Sequence, residues 1–169
     1  MFASMEIWLL RHAAAQDGSE SGRDADRALT PEGERRARAV ARGLASLKPP
    51  IELVLTSPYR RARQTADPAA RELGLSRRVR ESRALEPGRD PVEILEEIRA
   101  EEAGGILLVG HEPHLGALLG RLVAGRPLLT IPLKKAAVAR VEWDGTGAGE
   151  LRALFPPRVL ERLGAGHKS

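Results

Sequence analysis

Apolar runs along this chain are short and regularly spaced, and each closes on a polar or turn-forming residue. The first, Ile7-Trp8-Leu9-Leu10, ends in Arg11-His12 with Ala13-Ala14-Ala15 behind it. A run of this length near a chain start predicts a buried strand. Gln16 to Leu29 is rich in Asp, Gly, Ser and Arg without a period and predicts a long loop, of the kind that often carries function. Thr30-Pro31 then predicts an N-cap followed by proline at the first helical position. Ala37, Val40, Ala41, Leu44 and Leu47 recur at helical spacing until Pro49-Pro50 ends the helix. Ile51 to Thr56 predicts the second strand. Ser57-Pro58 repeats the cap-and-proline start, predicting a helix through Arg60, Arg61, Arg63 and Gln64 to Leu73, closed by Gly74.

Leu75 to Leu85 is mixed and charged, with at most a short edge strand around Val79. Asp90-Pro91 gives a third helix start, with Val92, Leu95 and Ile98 on one face and an end at Gly104-Gly105. Ile106-Leu107-Leu108-Val109 is the most hydrophobic run and predicts a central, fully buried strand. It closes on Gly110-His111-Glu112-Pro113-His114, and Leu115 to Ala124 follows as a helix. Ala136 to Trp143 alternates, Gly145-Thr146-Gly147 turns, and Glu150 to Phe155 alternates again, predicting a late antiparallel hairpin. A short helix from Arg158 to Leu163 comes last. This order predicts an α/β protein: a three-layer α/β/α sandwich around a mostly parallel sheet with an antiparallel late strand. The 169 residues read as a single domain, 1–169, with a core over 6–163 and flexible ends at 1–5 and 164–169.

Composition narrows the classes. Hydrophobic residues make up 42% and charged residues 30%, as in ordinary globular proteins. There is no cysteine, which excludes disulfides and thiolate metal sites. No signal peptide is evident, and no apolar run approaches the roughly 20 residues needed to span a bilayer; the expected location is cytoplasmic, away from membrane. The net charge of +4 and sequence pI of about 10.1 suit an anionic partner. Aromatic residues are only 3%, too few to stack bases, and the cations are interspersed with acids, so no nucleic-acid partner is expected.

Arg11-His12, Arg60-Arg61 and His111 directly follow predicted strands. On the dipeptide alone, Arg11-His12 reads first as an ordinary strand end with a solvated arginine and a satisfied histidine. In a mostly parallel sheet, however, groups at carboxyl ends converge on one rim, where such sheets bind ligands. The Ser57-Pro58 helix also opens on a basic turn, against the usual preference of helix N-termini for acids, unless an anion binds there. Histidines, arginines and helix N-termini without metal-ligand spacing point to phosphate handling, with no metal and no cofactor. Arginine matches phosphate bidentately and stays charged. An unprotonated histidine can attack phosphorus, and a protonated second one would add charge against the oxygens. No Gly-x-x-x-x-Gly-Lys loop is present.

Leu10-Arg11-His12, Ser57-Pro58-Tyr59-Arg60-Arg61-Ala62-Arg63-Gln64-Thr65 and Gly110-His111-Glu112-Pro113 resemble, in order, three motifs of the histidine phosphatase superfamily. The short length, the segment Arg27-Ala28-Leu29-Thr30-Pro31-Glu32-Gly33 and the lack of a large inserted cap look most like the SixA-type phosphohistidine phosphatases. The resemblance implies a phosphoglycerate mutase-like fold. It implies His12 as nucleophile, Arg11 and Arg61 as phosphate ligands, and His111 as the group completing the pocket. Arg60 matches a variable position and reads either as a substrate contact or as a solvated arginine. His114 lines the pocket, backs it or lies on the surface; Arg27 steers substrate or braces its loop; Lys134-Lys135 forms the rim or an exposed turn. Glu86 matches the proton donor of many relatives. An alkoxide leaving group needs that donor, whereas imidazole, whose conjugate acid has a pKa of about 6.5, largely does not. Glu86 is therefore either a working acid for phosphate esters or a loop carboxylate.

The expected function is a phosphatase acting through a phosphohistidine intermediate on a phosphohistidine protein. The alternatives are a small-molecule phosphomonoesterase using Glu86, and a non-catalytic phosphoprotein-binding module. Nothing in the sequence indicates oligomeric state.

Overall fold

The structure, a computed structural model, describes residues 4–166. Its strands are β1 (Met5–Arg11), β2 (Leu53–Thr56), β3 (Val79–Glu81), β4 (Gly105–Gly110), β5 (Val138–Trp143) and β6 (Glu150–Phe155). They form one sheet in the order β3-β2-β4-β1-β5-β6. β3, β2, β4 and β1 pair in parallel, and β5 runs antiparallel to both β1 and β6. The helices are α1 (Pro31–Ser46), α2 (Arg60–Glu72), α3 (Pro91–Arg99), α4 (His114–Ala124) and α5 (Pro157–Ala165).

Strand alternation sends successive side chains to opposite faces. Ile7, Leu9, Ile106 and Leu108 pack with Ile94, Leu95 and Ile98 of α3 and Leu115, Leu118, Leu119 and Leu122 of α4. Trp8, Leu10, Leu107 and Val109 pack with Ala37, Val40, Ala41 and Leu44 of α1, the alanines of α2 and Leu160 of α5. The two cores make the three-layer sandwich that the helix and strand periods predict. Every residue of β4 is buried, and each large aliphatic side chain so buried contributes about 1.5–3 kcal/mol.

β1 and β4 are neighbours, yet the helices that follow them, α1 and α4, pack on opposite faces of the sheet. That divergence opens a crevice at the carboxyl ends of the two strands. Across it the His12 N–H donates to the Gly110 carbonyl at 3.0 Å.

Thr30 caps α1 as expected, its hydroxyl accepting from the Gly33 N–H at 3.0 Å, and Asp90 caps α3 by accepting from the Val92 N–H at 2.9 Å. Ser57 does not cap α2. That helix begins at Arg60 with Tyr59 at the N-cap and no side-chain cap, because the Ser57 hydroxyl is taken up by a histidine described below. α3 ends at Arg99, short of the glycine pair, and Gly105 already belongs to β4. Met5 lies within β1 and α5 continues to Ala165, so regular structure extends beyond the 6–163 core; residues 1–3 and 167–169 lie outside the described residues. The loop from Gln16 to Leu29 is tied across its base by the Ala15–Leu29 bridge and contains one 3-10 turn, Asp24–Asp26.

Candidate active site

His12 is the first residue past β1 and is buried, the residue being 8% exposed. Its Nδ1 lies 2.7 Å from the carbonyl of Ala13. A carbonyl only accepts, so Nδ1 carries the proton and Nε2 keeps its lone pair. Burial, helped by the nearby charges of Arg61, Arg11 and Lys135 and opposed by the Ala13 contact, lowers the pKa to about 4. At neutral pH the ring is therefore an unprotonated nucleophile of fixed tautomer, ringed by three cations.

Arg61, in the first turn of α2, is 5% exposed. Its Nη1 donates to the Asp24 carbonyl at 2.7 Å and its Nη2 to the Asp24 carboxylate at 2.9 Å. The guanidinium lies 5.0 Å from the centre of the Tyr59 ring, an attractive placement for a cation. Thr65 accepts from the Ala13 N–H at 3.1 Å and donates to the Arg61 carbonyl at 2.8 Å, which stitches α2 to the His12 turn. Arg11 donates from Nη1 to the Leu133 carbonyl at 2.8 Å, while its buried Nε meets no acceptor among the described residues. Burial lowers the Arg11 pKa, with Glu112 opposing.

His111 follows β4, and its ring centre is 5.1 Å from that of His12 and 5.2 Å from that of Tyr59. Ser57 Oγ accepts from the Tyr59 N–H at 3.3 Å and lies 2.8 Å from His111 Nε2. The other ring nitrogen, Nδ1, is buried and has no hydrogen-bond partner among the described residues. Burial lowers the His111 pKa to about 3, helped by the charges of His12 and Arg61 and opposed by Asp24. The free protein thus holds a neutral His111, not the protonated second histidine expected from sequence, because burial beside cations disfavours another positive charge. Two buried polar nitrogens, Arg11 Nε and His111 Nδ1, stand unpartnered beside a nucleophilic nitrogen, and unmet buried polar groups are costly unless a ligand meets them.

The sequence profile of the histidine phosphatase superfamily (branch 1) matches residues 7–86. The phosphohistidine phosphatase SixA of Escherichia coli K12 is 30% identical over 162 residues, covering 93% of this chain and 97% of that one. This chain belongs to the histidine phosphatase superfamily. An uncharacterised protein of Picosynechococcus sp. strain PCC 7002 is 36% identical over 151 residues, covering 88% of this chain and 90% of that one. A solved structure of the protein histidine phosphatase SixA complexed with tungstate superposes with a TM-score of 0.83 at 29% identity, covering 92% of this chain and 99% of that one. The fold is the mixed α/β sandwich shared with phosphoglycerate mutases, and the protein is a SixA-like phosphatase.

In this histidine phosphatase the four principal residues read from sequence, Arg11, His12, Arg61 and His111, lie around one crevice. The secondary ones divide. Arg27 braces its loop, donating to the Gln16 carbonyl at 2.6 Å and the Asp24 carboxylate at 2.8 Å. Arg60 is exposed and turns to the outer side of the loop, near Ser19, Ser21 and Asp26. His114 opens α4 and is 4% exposed, so it is not a surface group. Burial lowers its pKa, opposed by the acids Glu93 and Asp90, and both its ring nitrogens are buried without a partner among the described residues. Glu86 follows the 3-10 turn Arg83–Leu85, whose last carbonyl packs near Gly110 at the end of β4. Its charge is not among those acting most strongly on His12 or His111.

Asp24, Ser57, Tyr59 and Thr65 belong to the site and were not singled out from sequence. The signal for the last three was their place inside the Ser57–Thr65 motif. Asp24 had none beyond lying in a long polar loop.

Proposed function

We propose that the protein hydrolyses phosphohistidine on a protein substrate, with His12 as the transient phosphoryl carrier. The observation that supports this most is the state of His12: tautomer held by Ala13, pKa near 4, and cations on its flanks. Nε2 attacks phosphorus as the bond to the substrate imidazole breaks, and the departing ring takes the electron pair and then a proton. Charge gathering on the equatorial oxygens is met by Arg11, Arg61 and His111, positioned before the reaction begins. Water then attacks the phosphoryl group on Nε2, releasing phosphate and restoring neutral His12. Because imidazole departs readily, this chemistry asks nothing of Glu86.

The position of Glu86 near the end of β4 supports a second reading, a small-molecule phosphomonoesterase with Glu86 protonating an alkoxide. A substrate panel decides. Purified protein should release phosphate from a phosphohistidine peptide far faster than from sugar phosphates, and Glu86→Gln should leave that rate within about twofold. A preference for sugar phosphates that Glu86→Gln abolishes would establish the second reading instead.

A further inference from the structure

Beside the nucleophile, on the side of β5 and α5, lies a cavity of about 640 Å³ lined by Arg11, Arg36, Lys134, Lys135, Pro156, Pro157 and Arg158. No acid lines it. Arg36 is held by Glu161 at 2.6 Å, and Arg11 is shared with the crevice. Lys134, Lys135 and Arg158 are exposed and enter no ion pair among the described residues.

The lysines do not sit on a loose turn. The Ala137 N–H donates to the Lys134 carbonyl at 2.9 Å, and the Ala136 N–H donates to the Arg11 carbonyl at 3.1 Å from a left-handed backbone, φ 61°. Arg11 in turn holds the Leu133 carbonyl. The cavity's far wall is the start of α5, which has no side-chain cap and no acid in its first turn. The start of α2, beside His12, has the same character. On the opposite flank, the hollow along the 16–28 loop includes Glu20 and Asp26 beside Arg60. Positive charge is therefore concentrated on one side of the reacting nitrogen.

We infer that this cavity binds the acidic flank of the substrate: one or more carboxylates of the polypeptide segment adjoining the phosphohistidine, seated between Lys134, Lys135 and Arg158. The inference rests on the phosphohistidine reading above. Carboxylates on such a segment meet pinned cations with little reorganisation, and the charge asymmetry sets the direction in which the segment crosses the crevice.

Three phosphohistidine peptides of equal length, flanked by Asp/Glu, by Ala/Ser or by Lys, are compared with free phosphohistidine. The acidic peptide should have the highest kcat/KM, by roughly two- to thirty-fold over the neutral one, the range that two exposed ion pairs supply. The gain should lie in KM and shrink with added salt. Lys134→Glu with Arg158→Glu should erase or invert the preference while leaving turnover of free phosphohistidine unchanged; Lys134→Ala with Arg158→Ala serves if the reversal does not fold. Equal kcat/KM for all three peptides, or a preference that survives these substitutions, overturns the inference alone. Failure of the wild type to release phosphate from all three peptides and from free phosphohistidine overturns the underlying reading, and the inference with it.

Discussion

The chemistry depends on a histidine kept neutral in a cationic, buried setting, and that has consequences for pH. An unfolded histidine titrates near 6.5, whereas folded His12 titrates near 4 and His111 near 3. Between those values the unfolded chain binds more protons than the folded one, so stability is full above pH 6.5 and declines as pH falls toward 4. For His12 alone the whole loss is on the order of 3 kcal/mol. Denaturant unfolding from pH 8 to pH 4.5 should show this decline, and His12→Asn should make it shallower, with the His111 part remaining; a pH-independent midpoint would refute the buried-neutral state. Arg61 acts on developing charge instead. Arg61→Ala should lower kcat about 10²–10³-fold, as loss of one oxyanion donor does, with a smaller change in KM; a change in KM alone would mean ground-state binding only. Asp24 was illegible from sequence because a loop without a period names no partner for its side chains. Only the folded loop shows it holding both terminal nitrogens of Arg61.

At the scale of elements, the periods were legible wherever one face is buried. The helical spacing from Ala37 to Leu44 and the apolar run of β4 correspond to core positions. Serine before proline misled at α2, since cap and motif use the same residue type and the Ser57 hydroxyl is committed to His111. Close helix crossings were likewise hidden. A Cβ on Gly43 of α1 would come within 1.9 Å of the Leu160 carbonyl of α5, and backbone cannot yield as a side chain can. Gly43→Ala should destabilise by about 2–3 kcal/mol, seen as a lower thermal midpoint. Since α1 and α5 lie away from the reacting atoms, kcat at low temperature should be retained. An unchanged midpoint would mean that the helices separate freely.

For the whole molecule, the alternation of strands and helices made a mostly parallel sheet readable, but not its order. β4 inserts between β1 and β2, a placement that depends on long-range pairing with no local sign. That insertion brings Arg11, His12 and His111 to one crevice, because the helices after β1 and β4 leave on opposite faces. The site is thus a product of topology, and the three motifs mark the strand ends and helix start that the topology gathers. The central claim is that phosphoryl transfer passes through Nε2 of His12. Rapid mixing with a phosphohistidine peptide, an alkaline quench and peptide mapping by mass spectrometry test it directly. The account predicts one acid-labile phosphoryl group on His12, absent together with turnover in His12→Asn. A phosphoryl group on another residue, or wild-type turnover in His12→Asn, would contradict it.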